Sequence, residues 1–195
     1  MIPQRQIRAD YDRDTIVVYQ AYRPAIAEAA LAAGRFVAPF SFCRMTWIKP
    51  SFLWMMERCG YASKAGQTRV LAVRITRTGW EKALAAAVLT HPGPGRSADQ
   101  WRQQLEQAPI RVQWDPERSL RGAKLNHRSI QVGIGRQLSQ EYANHWTVSI
   151  EDRTPLTQKL RQLRLEGRWE AARQLLPKER PYPIDEAVAQ RLEMF

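Results

Sequence analysis

Three short stretches place hydrogen-bonding or cationic side chains inside otherwise apolar, sheet-forming sequence, where a polar group without a partner is costly. The first is Tyr19-Gln20-Ala21-Tyr22, which closes a run of β-branched and aromatic residues. A strand end is a good place to present a side chain to a ligand. Gln20 either does that or is satisfied by neighbouring backbone and aromatic core. The second is Arg44-Met-Thr-Trp-Ile-Lys-Pro-Ser-Phe-Leu-Trp-Met-Met56. The rings of Trp47 and Trp54 can stack on a base or nicotinamide, and Arg44 and Lys49 can neutralise phosphate. Ser51 follows Pro50 into a first helical turn, where free backbone N–H groups favour an anion. Together with Thr46 these residues outline a binding site; a Met- and Trp-rich core segment started by Ser51 is the plainer alternative. The third is His127-Arg128-Ser129-Ile130-Gln131. Gln131 stands on a polar strand face between the small residues Ser129 and Gly133, which leaves room for a ligand. His127 has the chemistry of a general acid or base, although a lone loop histidine is more often merely exposed.

These residues need elements to hold them. Residues 15–22 read as a strand. Pro24 and Gly34 punctuate a helix over residues 25–33. Residues 45–48 form a short strand, and Pro50 opens a helix that sets Phe52, Met55, Met56 and Cys59 on one face. Residues 69–76 read as a buried strand, 80–89 as a helix, 91–95 as a loop and 98–107 as a polar helix. Residues 110–114 alternate as a half-buried strand that Asp115-Pro116 ends. Residues 129–134 and 146–150 alternate as well, and two helices over 155–165 and 169–176 break at Gly167. The tail from Pro177 is extended, then weakly helical. Alternating strands without strict βαβ repetition predict an α+β domain. Its twisted, mostly antiparallel sheet, whole or split in two, carries flanking helices. Residues 1–195 make one domain, with 155–195 a helical extension packed on it.

The chain has 195 residues, 44% apolar and 25% charged, which excludes general disorder. Lys plus Arg is 30 against Asp plus Glu 19, a net charge of +11. A domain this basic meets polyanions, unless the charge serves solubility alone. Residues 21–77 carry nine basic and two acidic residues, 111–136 six and two, and 152–180 eight and four. The first two segments hold the motifs above and suggest a basic face around a cleft; the third reads as a solvated helix face. No apolar stretch approaches the roughly 20 residues of a membrane helix, and the first residues lack an apolar signal core. The expectation is therefore a cytoplasmic protein with no membrane association. Cys43 and Cys59, the only cysteines, sit among aromatic and Met residues and read as buried, inert thiols. No His/Cys spacing suits a metal. There is no nucleophile elbow, Walker loop or Rossmann fingerprint.

Asp-Thr-Ile-Val-Val-Tyr-Gln-Ala-Tyr-Arg-Pro, Arg-Met-Thr-Trp-Ile-Lys-Pro-Ser-Phe-Leu-Trp-Met, Val-Gln-Trp-Asp-Pro-Glu-Arg and Arg-Ser-Ile-Gln-Val-Gly-Ile together resemble the family catalogued as domain of unknown function 4291. The likeness runs over nearly the whole chain, and the family name implies no activity. A second likeness, at the level of fold, is to the ADP-ribosyltransferases. Tyr19-Gln20, the helix to Gly34, and Phe36 resemble their opening strand and helix. Residues 47–54 resemble the segment that shapes their nicotinamide pocket, and Gln131 stands where their ribose-binding Glu would. Two departures matter. Gln20 replaces His or Arg, and Gln131, replacing Glu, can bond a ribose hydroxyl but supplies no charge.

The resemblance implies an ADP-ribosyltransferase-like fold and an enzyme that uses NAD, with a nucleic-acid or phosphorylated acceptor. Tyr19 and Gln20 would hold the nicotinamide end, Trp47 or Trp54 would stack, Arg44 and Lys49 would take pyrophosphate, and Gln131 would orient the ribose. Thr46 and Ser51 would complete the binding set, and His127 would join Gln20 and Gln131 in catalysis. The alternatives are a non-catalytic RNA- or DNA-binding module using the same basic aromatic cleft, and a partner-binding protein acting through its C-terminal helices.

Overall fold

A computed structural model describes residues 2–93, 95 and 97–195. Met1 and, in the loop expected over 91–95, Pro94 lie outside that set. The elements in chain order are β1 (Arg8–Ala9), β2 (Thr15–Tyr22), α1 (Pro24–Ala33), β3 (Thr46–Ile48), α2 (Phe52–Cys59), β4 (Arg69–Thr76), α3 (Arg77–Ala85) and β5 (Ala87–Leu89). Next come α4 (Ala98–Gln107), β6 (Ile110–Arg118), β7 (Lys124–Ile134), α5 (Ser139–Glu141), a π-helical turn (Tyr142–Trp146) and β8 (Thr147–Asp152). The chain ends with α6 (Thr154–Leu165), α7 (Trp169–Gln174), β9 (Arg180–Pro181) and α8 (Glu186–Arg191).

The architecture is α+β. A three-stranded antiparallel sheet, β2-β4-β8, and a four-stranded sheet, β3-β7-β6-β5, are joined edge to edge at one bridge. There Tyr19 N donates to Lys49 O at 2.7 Å and Lys49 N to Tyr19 O at 3.3 Å. Among the described strands, β5 and β6 form the one parallel pair. Strand alternation divides the apolar residues between two cores. Ile16, Val18, Leu71, Val73 and Ile75 face the larger one, with Trp80, Ile110, Val112, Ile130 and Val132. Val17, Tyr19, Val70 and Ala72 face the smaller one under α2 and α6. The helical spacing in α2 buries Phe52, Met55, Met56 and Cys59 in that second core.

Three local expectations are corrected. The helix expected over 80–89 ends at Ala85, and Ala87–Leu89 becomes β5. Pairing beside Ile110–Val112 buries Ala87 and Leu89, and that outweighs the helix propensity of an alanine run. Asp115-Pro116 does not end β6, which runs to Arg118. Proline is tolerated at a bulge, and the ladder is irregular between Pro116 and Arg118. Cys43 is exposed; only Cys59 is a buried thiol.

The tail is woven into the body. β9 pairs with β1, Tyr182 and Leu192 enter the larger core, and Trp114 Nε1 donates to Leu192 O at 3.0 Å. Among the described residues, no helix is long and apolar enough to cross a membrane, and no three His, Cys, Asp or Glu side chains group as metal ligands.

Candidate functional site

Where the two sheets part beyond the Tyr19–Lys49 bridge, a cavity of about 720 Å³ opens. Its walls come from the end of β2, the approach to β3, the polar face of β6 and β7, and α2. The polar wall begins with Gln20, 2% exposed on the core-facing side of β2. Its Nε2 donates to Tyr22 Oη at 2.6 Å and to Thr46 Oγ1 at 2.7 Å, and its Oε1 accepts from Tyr142 Oη at 2.6 Å. Tyr142 reaches it from the π-helical turn, and burial pushes the phenols of Tyr22 and Tyr142 well up, so both stay protonated. The Tyr22 and Thr46 oxygens are 2.9 Å apart. Two hydroxyl protons share that one mutual bond, so one proton remains to donate. Gln20 is thus spent on its neighbours, and what it offers the cavity is a fixed pair of hydroxyls.

On the opposite wall, Gln131 and Gln113 are directly paired across β7 and β6. Both donate to the Asp115 carboxylate, Gln131 Nε2 to Oδ2 at 2.6 Å and Gln113 Nε2 to Oδ1 at 2.8 Å. Clamped through nitrogen, each carboxamide is left with its Oε1 as an acceptor. Beside them Trp47 lies against Gly133, its partner in the β3–β7 ladder. A Cβ at Gly133 would stand 2.7 Å from Met45 Sδ and 3.1 Å from the Trp47 ring. Glycine is what lets the indole settle on the sheet.

Four cations line the cavity: Arg23, Arg44, Arg58 and Lys49. Among the described residues none of the four is in a salt bridge. The three arginines are exposed; Lys49 is 4% exposed. Its Nζ makes one long hydrogen bond, 3.5 Å to Trp47 O. Burial foremost, then the Arg58 charge, pushes its pKa down from 10.5 to about 8, against a smaller opposing pull from Asp115.

The structure brings six of the ten residues singled out in the sequence to this cavity: Gln20, Arg44, Thr46, Trp47, Lys49 and Gln131. The other four lie apart from it. Tyr19 points to the opposite face of β2 and packs edge-on against Phe52, centroids 5.2 Å apart. Ser51 is the N-cap of α2 and accepts from Trp54 N at 3.2 Å. Trp54 is half-buried on α2, and His127 is half-buried in β7. Sequence reasoning named Tyr22 only as the end of the first motif and gave it no role, and it passed over Arg23, which directly follows that motif, and Gln113 and Asp115, whose polar alternation in β6 matches that of β7. It had no means of finding Tyr142, which lies 122 residues from Gln20.

The molecule is thus an α+β domain of split, mostly antiparallel sheet with an electropositive cavity at the split. The profile of the family described as domain of unknown function (DUF4291) matches residues 6–182, and the chain belongs to that family. No curated protein matches the sequence.

Proposed function

We propose that this protein is an NAD-utilising transferase of the ADP-ribosyltransferase kind, acting on a nucleic-acid or phosphorylated acceptor. The observation that carries the reading is the set of groups around one cavity: a seated indole, carboxamide acceptors, a hydroxyl pair and four unpaired cations. A cavity of about 720 Å³ falls within the ~300–1,000 Å³ of small-molecule sites. NAD would bring the nicotinamide–ribose bond that breaks. Arg44, Arg58 and Lys49 would hold pyrophosphate, Trp47 would stack on a ring, and the Thr46–Tyr22 hydroxyls would donate to a carboxamide or ribose. Gln131 would accept from a ribose hydroxyl. Asp115, 2.6 Å behind its nitrogen, would lend the negative charge that Gln131 lacks. Gln20 would act by positioning Thr46 and Tyr22.

The test is calorimetry with NAD, checked by melting temperature, since a ligand that binds only the native state stabilises it. Wild type should bind, Gln131→Ala should lose the shift with little change in apo stability, and Lys49→Ala should bind more weakly. A flat trace at millimolar NAD, with nucleic acid still bound, would leave the binding module. The exposed arginines at the rim, within a net charge of +11, favour that second reading.

A further inference from the structure

We propose that the Lys49 amine captures the carbonyl carbon of a phosphate-bearing aldehyde, an aldose phosphate, as an imine in the cavity between the two sheets. The inference goes beyond NAD binding and does not depend on it.

The choice of cation is the first argument. The chain holds 24 arginines and six lysines, yet the enclosed cation of this cavity is a lysine. A guanidinium serves phosphate at least as well, through two parallel hydrogen bonds, but it cannot form a carbon–nitrogen double bond. Arg23, Arg44 and Arg58 already supply positive charge to the same cavity. An amine is what they cannot provide.

Its surroundings are the second argument. Lys49 Nζ has a single 3.5 Å bond and no carboxylate partner, so little holds it in the ammonium form or fixes its direction. Enclosure and a neighbouring guanidinium are the two conditions that make a lysine a nucleophile near neutral pH. Both are met here, and they bring its pKa to about 8. The cavity also offers what an aldose phosphate needs besides the amine. Arginines suit the phosphate, and the free oxygens of Gln113 and Gln131 suit sugar hydroxyls.

The step balances without a further reagent. The Nζ lone pair forms the bond to the aldehyde carbon, and the carbonyl π pair moves to oxygen, which takes a proton. The carbon–oxygen bond then breaks and water leaves as nitrogen gives up its hydrogens, so that amine and aldehyde become imine and water. The reverse step releases the aldehyde unchanged.

Reductive trapping tests this on the full-length wild-type protein. Ribose 5-phosphate is added with borohydride, and adducts are located by peptide mass spectrometry. The other five lysines, Lys64, Lys82, Lys124, Lys159 and Lys178, are exposed and act as internal references. Lys49 should be modified about tenfold faster than any of them, despite its burial. Its rate should rise with pH through about 8. Pyrophosphate should protect it, and ribose without phosphate should react about tenfold less. Lys49→Arg should melt as a folded protein and lose the fast adduct. Even labelling of all six lysines, no adduct, or an undiminished fast adduct in the Arg variant would overturn the proposal. Mapping on the wild type decides even if the variant does not fold. Failure of NAD to bind leaves the imine standing, and failure of the imine leaves the NAD reading standing.

Discussion

At the residue scale, two of the buried polar side chains of the cavity, Gln20 and Lys49, serve opposite ends. Gln20 is fully satisfied. Replacing it with Ala would strip partners from the hydroxyls of Tyr142, Tyr22 and Thr46 and leave a void. Orphaned buried hydroxyls cost ~1–3 kcal/mol each, so Gln20→Ala should lose about 3 kcal/mol or more in denaturant unfolding. Gln131→Ala, on the half-buried polar face, should lose about 1 kcal/mol or less. Equal losses at both positions would remove the distinction between a positioning glutamine and a ligand-facing one. Lys49, with one long hydrogen bond for its three donors, is enclosed at a cost to stability. The unfolded chain binds a proton up to pH 10.5, the folded one only up to about 8. Between those values the unfolded state binds more protons, so stability rises with pH across that window. At ~1.4 kcal/mol per pH unit the gain is about 3 kcal/mol. Unfolding curves of wild type and Lys49→Met at pH 7.5 and 10.5 should converge upward by that order. A wild type that gains nothing relative to the variant would mean that the amine is solvated.

At the element scale, α2 carries one cavity wall and is fastened from two sides. Ser51 caps it locally, and Glu179, 127 residues away, accepts from Phe52 N at 2.7 Å. Removing a cap costs ~0.5–2 kcal/mol. Ser51→Ala and Glu179→Ala should each cost about 1 kcal/mol, and Glu179→Ala should also raise amide exchange in the first turn of α2. Protection unchanged in Glu179→Ala would show that the tail does not hold the helix. Ser51 as a helix start is readable from Pro50 and the following apolar spacing; Glu179 is not, because nothing local pairs it with Phe52. The same contrast runs through the fold. Alternation in β2 separates Ile16, Val18 and Gln20 from Val17 and Tyr19, and the two cores obey it. The motifs on β2, β3 and β7 reach one cavity because each sits where its own strand pattern turns polar. β5 escapes notice because its alanine-rich sequence favours helix until it pairs with β6, and the far half of β6 because Asp115-Pro116 reads locally as a strand end although the hairpin to β7 carries the ladder past it.

At the scale of the whole molecule, charge and connectivity act together. Residues 21–77 hold seven more basic than acidic residues, and the fold gathers Arg23, Arg44, Lys49 and Arg58 from that segment around one opening. The three arginines are exposed, so their charge is presented to solvent and, among the described residues, not consumed in ion pairs. If a nucleic-acid acceptor enters here, it must displace counterions. Four phosphate contacts to a single strand give a slope of about −3 in log affinity against log salt. Replacing Arg44 and Arg58 with Gln should bring that slope to about −1.4 and weaken binding at low salt, whatever the base sequence. The same double replacement should leave unfolding nearly unchanged, since among the described residues neither side chain makes an ion pair to lose. Filter binding of single-stranded RNA and DNA at several salt concentrations, with wild type and double variant side by side, measures both slopes. A slope that the double variant leaves unchanged would put the polyanion contact elsewhere on this basic surface and detach the acceptor from the cavity.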